Sequence, residues 1–130
     1  MPAPTIFSTV PKKDYLGFYS GDNLDYQGVV KFAELEKKDI SRAVGIPVTS
    51  IRYEESKIPH ELKERLLEWA ALFNLVAEYF HGDARKTALW FKVPNPLLGN
   101  LTPRDTIRIG RFKRLMSFVL NTVGESRKDK

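Results

Sequence analysis

The chain has 130 residues, of which 42% are hydrophobic and 28% charged, with a formal net charge of +5 and a pI near 9.5. That size admits one domain with a real core, and the composition argues against global disorder. No run of about 18 apolar residues occurs, which excludes a spanning helix, and the lack of cysteine removes disulfides, thiolate zinc sites and thiol nucleophiles together. The opening "MPAPTIFSTVPKK" has no basic lead into an apolar stretch and is not expected to act as a secretory signal. A reducing cytoplasm is the expected compartment, with no membrane partner.

The basic excess is uneven. Residues 104–130 hold a net +5, against −1 for 1–30, +1 for 31–57 and 0 for 58–103. The total alone therefore says little about nucleic acid; its placement at the C-terminal end says more.

Residues 1–24 contain three prolines and two glycines without helical period. They are expected to be a mobile arm, although "YLGFYSG" carries enough aromatic surface to dock. Asp25 is a plausible N-cap for a helix with Tyr26, Val29, Val30 and Ala33 on one face. Ile40, Ala43 and Val44 give the next short helix an apolar edge, and Gly45 supplies the residue that ends it. Pro47 is placed to open another helix, with Val48 and Ile51 packing inward. Helix, glycine turn and helix within about 20 residues has the form of a helix-turn-helix, so 25–58 is read as that unit.

The clearest element starts near Pro59. Leu62, Leu66, Trp69, Phe73, Ala77 and Phe80 step by three and four, and Leu67, Leu75, Val76 and Tyr79 widen the stripe, so the helix is expected to be buried over most of its circumference. Gly82 ends it, and Asp83 caps a further helix with Ala84, Thr87, Ala88 and Phe91 inward. Pro94-Asn95-Pro96 forbids continuation, and Gly99 with Asn100 permits a left-handed turn. Thr102 then reads as an N-cap with Pro103 in the first turn and Asp105 reaching back to complete a capping box. Gly110 closes that helix. Phe112, Leu115, Met116, Val119 and Val123 line the last one, and 125–130 is a polar tail expected to fray. With no alternating strand, the fold class is all-α, a compact bundle of about seven helices. Residues 59–124 form its second half.

The sequence offers little to a catalyst. His60 and His81 lie near opposite ends of one helix, about 30 Å apart, too far to share a metal or a proton. The carboxylates Glu61, Glu64 and Glu68 alternate with Lys63 and Arg65 at the spacing of a solvated face. No phosphate-binding glycine loop is present. Neither catalytic residues nor a metal or cofactor are therefore expected.

Two surfaces compete for function. The second helix of the helix-turn-helix would present Thr49, Ser50, Arg52 and Tyr53 to base edges and phosphates, with Lys37 and Lys38 at the start of the preceding helix contacting the backbone. Glu54 and Glu55 follow at once and weaken that reading. The C-terminal cluster Arg104, Arg108, Arg111, Lys113 and Arg114 has two readings. It either covers a helix pair and offsets helix dipoles, or forms a docking surface for an acidic partner or for phosphates. Its place beside an exposed proline-rich joint favours a protein partner. Of Trp90 and Phe91, one should be core and the other an interface anchor.

The stretch "ALWFKVPNPLLGNLTPRDTIRIGRFKRLMSFV", residues 88–119, resembles the toxin-binding domain of the Xre/MbcA/ParS antitoxin family. The resemblance is carried by Trp90, Phe91, Pro94, Asn95, Pro96, Leu98, Gly99, Thr102, Pro103 and Gly110. "FAELEKKDISRAVGIPVTSIRYEE" is similar to the family's helix-turn-helix and "EWAALFNLVAEYFHGD" to its joining helix. Asn100 stands where a second glycine is frequent. The resemblance implies an antitoxin of a type II toxin–antitoxin pair. It would act as a homodimer within the toxin complex, covering the cleft of a RES-domain, NAD-consuming toxin and binding operator DNA through the helix-turn-helix. Toxin contact is then expected from Trp90, Pro94, Asn95, Pro96, Leu97, Leu98, Arg104, Arg108 and Arg111, with the arginines meeting carboxylates at the cleft rim. A stand-alone transcriptional regulator and a pure interaction module are the competing readings.

Overall fold

The computed structural model describes residues 13–128, with side chains described as far as Val123. Residues 1–12 of the expected arm and the end of the expected tail lie outside the described residues. The arm reading is corrected for residues 13–24, which are tied to the core. Asp14 folds back so that its carboxylate accepts from the backbone N–H of Phe18 (2.9 Å) and Tyr19 (2.8 Å). The same carboxylate accepts from the amide of Asn74 at 3.1 Å, and the Asn74 carbonyl oxygen accepts from Leu16 N–H at 2.9 Å. A buried side chain from the middle of the long helix thus pins the segment in place. A two-stranded antiparallel hairpin follows, β1 (Tyr19–Ser20) with β2 (Asn23–Leu24), Tyr19 opposite Leu24 and Ser20 opposite Asn23. A strand pair of two residues leaves no alternating pattern to read.

Six α-helices are described: α1 (Tyr26–Ala33), α2 (Lys37–Val44), α3 (His60–Tyr79), α4 (Ala84–Lys92), α5 (Pro103–Arg108) and α6 (Phe112–Lys128). Their starts follow the capping chemistry of the sequence. Asp25 accepts from Gly28 N–H, Asp83 from Lys86 N–H and the Thr102 hydroxyl from Asp105 N–H, at 2.9–3.0 Å. Their ends use left-handed residues, Glu34 after α1, Gly45 after α2 and Gly110 after α5. Pro59 stands one position before α3 as its N-cap.

The expected seventh helix does not form. Val48–Ser50 is a single 3-10 turn capped by the Ile51 N–H on Val48 O, and residues 51–53 continue outside any helix. The helix-turn-helix is therefore corrected to a helix followed by a turn. Val-Thr-Ser-Ile is a poor nucleus, since β-branched side chains lose rotamer freedom in a helix and Thr and Ser compete for backbone groups. Only Ile51 of this stretch reaches the core, while Val48 points to solvent.

The core is organised around α3, which packs against α1, α2, α4 and α6, with α5 bridging α2, α4 and α6. Leu62, Leu66, Trp69, Ala70, Leu72, Phe73 and Ala77 are nearly inaccessible, while Leu67 and Tyr79, expected on the buried stripe, are exposed. Phe73 sits at the centre of an aromatic group. Its ring lies 4.9 Å from Phe91 of α4, 5.2 Å from Phe32 of α1 and 6.3 Å from Phe18 of the N-terminal segment. One side chain therefore joins four parts of the chain. On α4, Thr87 and Phe91 are buried as the pattern requires, but Ala84 is exposed at the first turn.

Candidate docking surface at the proline corner

The joint between α4 and α5 is a closed loop organised by one residue. Asn95 accepts on its side-chain oxygen from Leu97 N–H (2.9 Å), accepts on its carbonyl from Leu98 and Asn100 N–H, and donates its own N–H to Leu101 O at 3.0 Å. Pro96–Leu98 forms a 3-10 turn ended by Gly99, and Gly99 and Asn100 both take positive φ, 71° and 66°. The Asn at position 100 is thus compatible with the left-handed turn. The two prolines donate nothing, so the loop closes chiefly through Asn95, with Gly99 N–H donating to Pro96 O at 3.2 Å and Leu101 N–H to Leu98 O at 3.4 Å.

This geometry divides the residues expected to touch a partner. Leu98 is core, and Asn95 builds the loop. Trp90 is half-buried, edge-on to Phe91 at 4.9 Å, and lines a shallow apolar groove of about 110 Å³ with Val76, Phe80, Phe118 and Val123. Pro94, Pro96 and Leu97 are exposed, and Leu97 is the most exposed large hydrophobic residue described, at 73%. Leu89 (61%) and Val93 (48%) stand one helical turn apart just before the corner, neither singled out from the sequence as exposed. Their only signal was negative, for neither belongs to the buried face that Thr87 and Phe91 define.

The arginines are redistributed. Arg104 donates from Nε to Ala33 O at 3.0 Å and to Glu34 O at 3.2 Å, and its Nη2 also donates to Glu34 O. It supplies donors to the carbonyls at the C-terminus of α1, as the helix-dipole reading anticipated. Arg108 donates from Nε to Asp39 at 3.1 Å and from Nη1 to Asp105 at 2.9 Å. Asp105 therefore faces Arg108, correcting the expectation that its carboxylate completes a capping box at Thr102. Arg104 and Arg108 latch α5 onto α1 and α2, so both guanidinium groups already have partners within the chain. Arg111 alone of the three is exposed, with no ion pair among the described residues.

Asp39 is the buried member of that latch, and its carboxylate also accepts from Glu36 N–H at 3.0 Å. Burial alone would push its pKa up, but the Glu36 N–H and the Arg108 guanidinium outweigh burial and hold it below the usual carboxylate value. A depressed folded pKa contributes stability that is complete above the unfolded value and is lost as pH falls through the folded one. Arg108→Ala removes one stabiliser and is expected to lower stability at neutral pH. It should also flatten the acid limb of the stability curve between about pH 4 and the folded pKa. Urea unfolding across pH checks both, and an unchanged acid limb would remove Asp39 from the account.

The residues expected to read DNA are scattered in accessibility and tied up in part. Lys37, Lys38, Thr49, Ser50 and Arg52 are exposed, and Tyr53 is half-buried, its pKa raised by burial. Arg52 folds its guanidinium onto the carbonyls of Thr49 (3.1 Å) and Ile51 (3.0 Å), and Lys38 pairs with Glu36. Lys37, Arg52 and Tyr53 line one wide polar cleft of about 510 Å³ together with Asp25, Gln27 and Glu54. A three-residue turn cannot lie along a major groove as a recognition helix does.

Among the described residues no cluster of three or more His, Asp or Glu side chains is placed to hold a metal, and no helix is long and apolar enough to cross a membrane. Comparison with family models, with curated proteins and with solved structures finds no match for this chain.

Proposed function

We propose that this chain is a protein-capture module of antitoxin type, which neutralises a cognate protein toxin by seating the proline corner in the toxin's active cleft. The observation that carries the reading is the concentration of exposed apolar side chains there. Leu89, Val93 and Leu97 lie within nine residues, running from the end of α4 into a loop whose backbone is closed and pre-shaped by Asn95. Exposed apolar groups grouped on a rigid support mark protein contacts, and pre-shaping lowers the entropy lost on binding. Inhibition by occlusion needs no reactive group from the antitoxin, only a surface that desolvates the cleft mouth. The resemblance of residues 88–119 names the occluded partner as a RES-domain, NAD-consuming toxin, with the antitoxin present as a homodimer in the complex. The stand-alone regulator has less support, because the recognition helix it requires is a single turn.

Co-production with the product of the adjacent reading frame tests this. A stable complex should copurify, and growth should be arrested when that neighbour is expressed without this chain. Failure to associate, together with no toxicity to suppress, would reject the reading.

A further inference from the structure

The described residues leave an apolar groove open at the C-terminal end of α3, and the chain enters the fold close to it. Four aromatic side chains, Tyr79, Phe80, Trp90 and Phe118, line the groove together with Val76 and Val119. Tyr79 is 52% exposed and stands edge-on to Phe80 at 5.3 Å, and Phe80, Trp90 and Phe118 are each half-buried. Scattered exposed apolar residues are ordinary, but a group of this kind marks a contact. It is separate from Leu89, Val93 and Leu97, none of which lines it. The first described residues arrive at the same end of α3. Asp14 and Leu16 are held by Asn74, and Tyr15 packs so closely on Gly82 that a Cβ there would lie 3.3 Å from its ring. Gly82 follows Phe80 by two positions, so residues 1–12 join the fold beside one end of the groove.

We infer that the occupant of this groove is the chain's own N-terminal segment, with Ile6, Phe7 and Val10 laid against its aromatic walls. Reach allows it. Val10 lies five positions before Tyr15 and Phe7 eight, and an extended chain spans about 16 Å and about 26 Å over those distances. The wall that α6 contributes, from Phe118 to Val123, is only about 7.5 Å long. Pro2, Pro4 and Pro11 favour an extended, polyproline-like backbone, so less chain entropy is lost on docking. In a polyproline twist residues three apart share an edge, which aligns Pro4, Phe7 and Val10. Aromatic-lined grooves are the surfaces such segments bind. The groove's volume, about 110 Å³, suits single side chains of an extended segment and is too small for a helix. Tethering decides the occupant. A short link gives an effective concentration in the millimolar range, so a contact of only about millimolar intrinsic affinity is already half made, and a partner from solution must displace it. The inference does not rest on the antitoxin reading.

The lack of cysteine makes the test direct. In the full chain, Ser8→Cys is combined with Thr122→Cys at the groove, and separately with Ser117→Cys, an exposed α6 position that does not line it. Under mild oxidation the pair at 8 and 122 should close its intramolecular disulfide roughly tenfold faster than the pair at 8 and 117. Adding Ile6→Asp and Phe7→Asp should erase that difference. In the otherwise unaltered chain these two substitutions should raise acrylamide quenching of tryptophan fluorescence about twofold, because Trp90 opens to solvent while Trp69 stays nearly inaccessible. Circular dichroism should not change, since neither position belongs to the described core. Equal disulfide rates, or unchanged quenching in the Ile6 and Phe7 variant, would overturn the inference. So would disulfide-linked dimers whose yield rises with protein concentration, which would give the groove to a second copy. Shielding of Trp90 by the neighbouring gene product, with no effect of the Ile6 and Phe7 substitutions, would give it to that partner and overturn the inference as well. Failure of the neighbouring gene product to associate at all would bear on the antitoxin reading alone.

Discussion

Phe73→Ala is expected to lower the unfolding free energy by about 4 kcal/mol, a large share of the stability of a domain this size. Its ring is fully inaccessible and meets Phe18, Phe32 and Phe91 at centroid distances of 4.9–6.3 Å. Truncation removes the transfer free energy of a phenyl group and leaves a cavity that four separate parts of the chain would have to close together. Each aromatic pair adds about 0.5–1.5 kcal/mol beyond area burial, and all three are lost. Phe73→Leu keeps most of the volume and should cost less than half as much. Urea unfolding followed by tryptophan fluorescence and by far-ultraviolet circular dichroism measures the loss. A cost near 1 kcal/mol would mean that the Phe18 segment and α4 are only loosely attached to α3.

The second large effect falls on binding. Leu89→Asp combined with Leu97→Asp is expected to weaken capture of the toxin at least a hundredfold, about 3 kcal/mol, with stability changed by no more than about 0.5 kcal/mol. Both side chains are mostly solvated in the free chain, so the folded state loses little when they become charged. In a complex they would be desolvated at the centre of the contact, where a buried unpaired carboxylate is most costly. Arg104→Ala should do the reverse. It strips donors from the carbonyls at the end of α1 and should lower stability by about 1 kcal/mol while changing affinity little. Calorimetric titration of the copurified toxin beside thermal unfolding of each variant separates the two patterns. Unchanged affinity in the Leu89 and Leu97 variant would move the contact away from the corner.

The residues that carry the resemblance turn out to be chiefly those that shape the corner. Asn95 closes the loop, Gly99 takes the left-handed turn, Thr102 and Pro103 start α5, and Gly110 ends it. The side chains left to meet a partner, Leu89, Val93, Leu97 and the two prolines, stand on that frame. A sequence pattern of this kind specifies how a surface is held more than what it touches. The arginines show the same limit from the other side. Arg104, Arg108 and Arg111 look equivalent as a string, yet one caps a helix, one serves a buried carboxylate and one is exposed with no ion pair among the described residues.

The sequence by itself determined the helices whose signals are local. Caps at Asp25, Asp83 and Thr102, the glycine stops, the proline corner and the three-and-four spacing of α3 and α6 all depend on neighbours within about four residues, so they can be read without knowing the fold. The tertiary structure alone decided the rest. Asn74 gripping Asp14 and Leu16, Phe73 gathering Phe18, and Asp39 claiming Arg108 join positions about 55 to 70 residues apart, and no local period encodes such partners. The same holds for the missing helix at Val48–Ser50. A weak local preference yielded where burying Ile51 in the core was worth more than extending one more turn.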